Sequence, residues 1–116
     1  RAVELLLRRG AEINLLGGTA LMAAAEQGHE RVVELLIRRG AEINLQNSGG
    51  GTALMCAAFF NRPAVVRRLL RAGADAAPTF DGKTALQLAK DAGHAECVKV
   101  LAEAAAAADG RAGAGG

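Results

Sequence analysis

One pattern of spacing constrains this 116-residue chain more than any other: it repeats itself. Gly18-Thr19-Ala20-Leu21-Met22 returns 33 positions later as Gly51-Thr52-Ala53-Leu54-Met55, and 32 positions after that as Lys83-Thr84-Ala85-Leu86-Gln87. Arg8-Arg9-Gly10-Ala11-Glu12-Ile13-Asn14 recurs unchanged at residues 38–44 and weakly as Arg71-Ala72-Gly73-Ala74-Asp75; Gly28-His29 reappears as Gly93-His94. A period near 33 specifies a stack of small units, each of which buries its apolar face only against its neighbours.

Within one period the local signals read as two short helices and a loop. Thr19, Thr52 and Thr84 are placed to cap the first helix, the hydroxyl accepting a backbone N–H of the first turn. Each opens a run of about nine residues rich in Ala and Leu. Gly28 and Gly93 stop two of these runs, because glycine adopts the left-handed conformation without strain; Asn61 takes the same place in the middle unit. Pro63 suits the first turn of the helix that follows. The second helix spans roughly residues 30–39, with Val33, Leu36 and Ile37 on one face. Val65, Val66, Leu69 and Leu70 repeat that face, as do Val98 and Leu101. Gly10, Gly40 and Gly73 end the second helices, and the arginines before them complement the negative end of the helix dipole. Residues 43–51 are extended and glycine-rich, which suits a hairpin loop between units.

Composition says how such a stack must pack. Alanine (27), leucine (15) and glycine (15) dominate, with no Trp or Tyr and three Phe, so neighbouring elements must approach closely around small side chains. Apolar residues reach 51%, too many for a disordered chain. The longest apolar run, residues 53–60, is far short of a membrane-crossing helix. A net charge of +2 is too balanced to imply nucleic acid, and two cysteines make no disulfide framework. No signal peptide is recognised, and a reduced intracellular setting, cytoplasmic or nuclear, is expected.

At these positions the sequence resembles the ankyrin repeat family. That motif runs Gly, a variable residue, Thr-Pro-Leu-His, Ala-Ala, Gly-His, a Leu-Leu pair, then Gly-Ala-Asp with Asn two residues later. Three units here keep the Thr and Leu, the Gly-His (altered once to Asn61-Arg62) and the Gly-Ala-acid turn, over residues 2 to about 103. The resemblance implies an all-α ankyrin-repeat solenoid of stacked helix-turn-helix units joined by β-hairpin-like loops. It divides the chain into an array over 1–108 (a partial unit at 1–14, units at about 15–44, 45–77 and 78–108) and a flexible Gly/Ala tail at 109–116. The last helix is expected to end at Asp109-Gly110. Because Arg1 falls at the opening of a second helix, the array is expected to be a fragment of a longer one. The chain also departs from the motif. Its Pro is Ala20, Ala53 and Ala85, and its His is Met22, Met55 and Gln87, so the family's Thr–His hydrogen bond is missing. The first connection, residues 14–19, is three residues shorter than residues 44–52 and reads as a plain turn.

No catalytic constellation emerges, and no cofactor is expected. The resemblance gives His29 and His94 the role of bracing adjacent loops. Cys56 and Cys97 replace aliphatic residues on packed helix faces, and the four ligands of a zinc site are absent, so no metal is expected. Gly82-Lys83-Thr84 looks like the tail of a phosphate-binding loop, but the required upstream glycine is Ala77. Paired arginines (Arg8-Arg9, Arg38-Arg39, Arg67-Arg68 with Arg71) form a basic stripe once per repeat. Their plain role is dipole complementation and pairing with Glu12, Glu42 and Asp75. A sharper one is attraction of an acidic partner, a phosphorylated peptide or a phosphoinositide surface.

The aromatics are the strongest functional lead. The resemblance implies that the two residues before Gly-His face a concave groove and vary with the ligand: Glu26-Gln27, Phe59-Phe60 and Asp91-Ala92. Phe80 falls at the tip of the following hairpin, placing all three Phe at one junction between units. Exposed clustered aromatics mark interaction sites, whereas the plainer role for either Phe of the pair is packing beneath the next hairpin. The expected partner-binding residues are thus Phe59, Phe60, Phe80, Glu26, Gln27, Asp91 and the tip residues Asn47, Ser48 and Asp81. Asn44 and Asn14 occupy the hairpin position that resembles the target of an asparaginyl hydroxylase, each with a Leu eight residues earlier; a side-chain bond bracing the turn serves equally. The expected function is non-catalytic recognition of a protein or peptide by a monomeric array, without nucleic acid or membrane insertion. The alternative is a targeting or recruitment segment of a larger enzyme, such as a kinase or ubiquitin ligase.

Overall fold

A computed structural model describes the backbone of residues 13–115 and the side chains of residues 20–107. Arg8, Arg9, Gly10 and Glu12, to which the sequence assigns roles, and Leu6, eight residues before Asn14, lie outside the described residues. Six helices run through the described part: α1 (Ile13–Gln27), α2 (Glu30–Arg38), α3 (Ala53–Phe59), α4 (Pro63–Arg71), α5 (Ala85–Ala92) and α6 (Ala95–Gly115). They form consecutive antiparallel pairs. The first helices pack in one layer, α1 on α3 on α5, and the second helices in another, α2 on α4 on α6. This is the all-α stack expected from the repeat.

The caps and stops follow the local chemistry. Thr52 Oγ1 accepts the Met55 N–H at 3.3 Å, and Thr84 Oγ1 accepts that of Gln87 at 3.3 Å. The Gln87 side chain returns the bond, accepting the Thr84 N–H at 3.1 Å and completing a capping box. So the residue standing where the family has His still stiffens this helix start. Gly28, Asn61 and Gly93 all turn out of their helices at positive φ (75°, 60° and 75°), and Pro63 opens α4.

Alanine sets the spacing of the first layer. Ala25, Ala57, Ala58 and Ala89 are completely buried where first helices meet, with Leu21 and Leu54 beside them. The second layer fills the remaining space with Val33, Leu36, Val65, Val66, Leu69, Cys97 and Leu101, all buried. Residues spaced three and four apart on α2, α4 and α6 thus supply the apolar stripe.

Two expectations need correction. Residues 14–19 do not form a turn: α1 already begins at Ile13, so Thr19 lies inside a helix and does not cap one, and Asn14 is helical. The four residues between Asn14 and Thr19 cannot make the loop that the seven between Asn44 and Thr52 make, and continuing the helix satisfies each backbone group locally. At the other end α6 runs on to Gly115, past the expected stop at Asp109-Gly110. A single glycine lowers helix stability by about 1 kcal/mol relative to Ala and does not by itself end a helix that Ala104–Ala108 favours.

Candidate functional site

The eight-residue apolar run at 53–60 is longer than the first layer can bury. Ala53, Leu54, Met55, Ala57 and Ala58 go inside, leaving Phe59 half exposed (50%) and Phe60 nearly so (43%) at the end of α3. Their rings meet edge to face with centroids 5.1 Å apart, the arrangement the ring quadrupoles favour. His94, at the opening of α6 in the next unit, donates from Nε2 to the Phe59 carbonyl at 2.9 Å, so the backbone beneath the ring is tied to the following repeat. This is the loop-bracing role expected of His94.

Phe80 arrives from the other side. It exchanges both backbone hydrogen bonds with Lys83 (2.9 and 3.0 Å) around Asp81-Gly82, whose φ values are 54° and 77°. Positive φ at both central residues is the hairpin geometry that an Asp-Gly pair favours. The Phe80 ring, 42% exposed, lies over Gly49 of the preceding loop. A Cβ at Gly49 would sit 2.8 Å from Phe80 Cε1, so glycine is what lets the ring come down.

Between these elements lies a cavity of about 220 Å³. Met55, Cys56 and Leu88 line it from α3 and α5, the three phenylalanines surround it, and Asn47 and Gly51 close its loop side. The lining is almost wholly apolar. Cys56 is half-buried there, and its thiol is pushed above the ordinary range first by burial and then by the nearby Glu26 carboxylate. A protonated thiol is a poor nucleophile, so the pocket offers shape and apolar surface with no reactive group.

The polar residues expected to flank the aromatics are mostly engaged. Asp91 is exposed but forms an ion pair with Lys83, and that hydrogen bond raises the lysine's pKa. Gly82-Lys83-Thr84 is thereby a hairpin end and a helix cap. Asn47 is spent on its own loop: Oδ1 accepts the N–H groups of Gly49 (3.0 Å) and Gly51 (2.9 Å). Ser48 and Asp81 are exposed at the two loop tips, Gln27 is exposed, and Glu26 is half-buried. Asn44 Oδ1 accepts the Asp75 N–H at 2.7 Å, bracing the loop of the next unit and not its own turn. Asn14, being in α1, does not share that hairpin setting.

The arginines also find other carboxylates than those expected. Arg68 pairs with Glu30 (3.1 Å) and Glu34 (3.2 Å), Arg38 with Glu34 (3.5 Å) and Arg67 with Glu96 (3.0 Å). Glu42 and Asp75 lie on loops beyond the helix ends, whereas Glu30, Glu34 and Glu96 share the exposed faces of the second helices and meet the arginines side by side. Cys97 is buried, and its thiol is likewise raised by burial. His29 is exposed at the opening of α2.

The sequence pointed to Asn47 and the three phenylalanines but not to Gly51, Met55, Cys56 and Leu88 as pocket lining, and it missed one bracing residue. Arg62 stands where the other units have His, and its Nε donates to the Glu26 carbonyl at 2.9 Å, the bond His94 makes one repeat later. Its offset from Gly-His was the available signal. Among the described residues no group of three His, Cys, Asp or Glu is arranged to hold a metal ion, and no helix is long and apolar enough to cross a membrane.

Comparison with known families agrees with the geometry. A model of ankyrin repeats (3 copies) matches residues 1–79, and a single ankyrin repeat model matches residues 81–110. No curated protein matches the chain.

Proposed function

The chain belongs to the ankyrin repeat family, whose arrays are generally protein–protein interaction modules, and from that premise we propose that it recognises a protein or peptide ligand, without catalysis, at the Phe59–Phe60–Phe80 pocket. One observation carries the reading: three phenylalanines, each 42–50% exposed, surround a single apolar cavity of about 220 Å³ in a chain with no other aromatic residue. Leaving about half of each phenylalanine exposed at one point forgoes burial energy that the core would otherwise gain, and partner anchoring recovers it. The cavity is smaller than the ~300–1,000 Å³ of small-molecule sites. It suits one or two apolar side chains of a polypeptide. Glu26 beside the pocket, with Ser48 and Asp81 on the tips, is placed to select among ligands. The free thiols of Cys56 and Cys97 suit a reducing cytoplasmic or nuclear setting.

Peptides selected from a displayed library against the chain test this. Their binding to Phe59→Ala/Phe60→Ala is expected to weaken by about thirtyfold or more, as for an interface hot spot of about 2 kcal/mol, while the helical circular dichroism persists. Unchanged affinity in a folded double variant removes the pocket from the binding site.

A further inference from the structure

The layer of second helices carries a concavity of its own, remote in character from the aromatic pocket. It measures about 230 Å³ and lies between α2 and α4, lined by Glu34, Ile37 and Arg38 from one helix and by Arg68, Arg71 and Ala72 at the end of the other. Arg38 and Arg71 hold the same repeat position in successive units, so stacking alone brings their guanidinium groups to one furrow. Three cations and one carboxylate line it.

That carboxylate is already bound as an anion. Glu34 Oε2 sits 3.2 Å from Arg68 Nη1 and 3.5 Å from Arg38 Nη2, with Arg68 Nε turned to Glu30 at 3.1 Å. Among the described residues Arg71 makes no ion pair. With Glu30 counted at the furrow's edge, three arginines face two carboxylates, and the excess becomes two positive charges when Glu34 is displaced. The negative end of α4 lies close by, but its last carbonyls already accept the N–H groups of Ala72, Gly73 and Ala74.

We propose that this furrow binds a dianionic phosphoryl group on a phosphorylated side chain of a partner protein, held by Arg38, Arg68 and Arg71, with Glu34 as the internal anion that it displaces. Guanidinium forks match phosphate oxygens in pairs, and a dianion balances the local excess that a single carboxylate leaves. A membrane is the weaker match. A flat anionic surface gains from uninterrupted clusters of basic residues, whereas Glu30, Glu34 and Glu96 interrupt this stripe and each holds an arginine. One group reaching into the furrow needs to displace only Glu34.

The test uses the whole chain, isotope-labelled for NMR. The ligands are N-acetyl-phosphoserine amide and its unphosphorylated counterpart; vesicles of phosphatidylcholine with phosphatidylserine are added in a sedimentation arm. The phosphorylated ligand is expected to give saturable shifts at the Arg38, Arg68 and Arg71 side-chain N–H signals and at the Ala72 amide, and the unphosphorylated ligand none. Arg38→Gln/Arg71→Gln is expected to lose these shifts. Glu34→Gln is expected to tighten binding about two- to fivefold, the worth of one exposed ion pair. Should the double variant lose its dispersed spectrum, Arg71→Gln alone carries the comparison, since it breaks no pair seen among the described residues. Absence of saturation with the phosphorylated ligand, equal binding by the arginine variant, or weaker binding by Glu34→Gln overturns the assignment. Sedimentation with the vesicles that depends on Arg38 and Arg71, without a phosphoserine response, overturns it in favour of a lipid surface.

Discussion

Arg62 and His94 reach the same target with different chemistry. Each donates at 2.9 Å to the carbonyl two residues before the turn that ends a first helix, Glu26 before Gly28 in one unit and Phe59 before Asn61 in the next. The longer arginine arrives by crossing Gly28, where a Cβ would lie 2.8 Å from its Cδ. Asn44 makes a third tie between units through the Asp75 N–H. Asn44→Ala is expected to cost about 1 kcal/mol, because an exposed amide that loses its partner recovers part of the bond from water. Urea denaturation of the two proteins measures it, and an unchanged midpoint refutes the tie. Cys56 offers a pH-dependent check on the pocket. Burial and Glu26 raise its pKa, so at any given pH near 8 it holds less thiolate than an ordinary thiol. Alkylation by iodoacetamide is expected to be slower than that of a free cysteine and to rise only at more alkaline pH; mass spectrometry of the Cys56 peptide follows it. Labelling as fast as a free thiol would mean the pocket is open around Cys56.

At the scale of the element, the helices divide by what holds them. First helices depend on close alanine contacts: the short α3 buries Ala57 and Ala58 completely against its neighbours. Ala58→Leu is expected to destabilise the fold by about 1–3 kcal/mol, since the added methylenes have nowhere to go without separating the layer. A thermal melt that does not move would show that the layer relaxes more easily than its packing implies. The second helices α2 and α4 are amphipathic, as the spacing of Val65, Val66 and Leu69 shows for α4, and both end on an arginine, Arg38 and Arg71. The caps at Thr52 and Thr84 were legible, each binding the N–H three residues on, whereas the cap expected at Thr19 is lost because α1 runs through it; only the geometry drew attention to Gln87 in the Thr84 box. The run-on of α1 and α6 was not legible, because Gly17-Gly18 and Gly110 bias a helix toward ending without compelling it.

At the scale of the molecule, the described helix pairs stack in chain order, α1–α2 on α3–α4 on α5–α6, and stability is expected to follow a nearest-neighbour sum. Ion pairs contribute little to that sum. Arg67–Glu96, Arg68–Glu30 and Arg68–Glu34 cross between helices but remain 39–53% exposed on both sides. Raising sodium chloride to about 1 M is expected to lower the unfolding free energy by no more than about 1–2 kcal/mol, measured by urea denaturation at each salt concentration. A larger loss would mean that the arginine stripe holds the stack together and is not free to serve a ligand. The two proposed sites lie apart, the apolar one beside the first helices and the anionic one on the second.

By itself, the sequence determined the units, their two helices and most of the stops, because these depend on period, propensity and residues within one turn of each other. It also placed the three phenylalanines at one junction, since each is fixed by its register in the repeat. Only the tertiary structure decided which polar groups meet. That Asn44 serves Asp75, that Phe80 settles on Gly49, that Lys83 occupies Asp91, and that Arg38 and Arg71 share a furrow all depend on the rise and rotation from one unit to the next. Those quantities arise from the packing of whole helix faces, and no local spacing contains them.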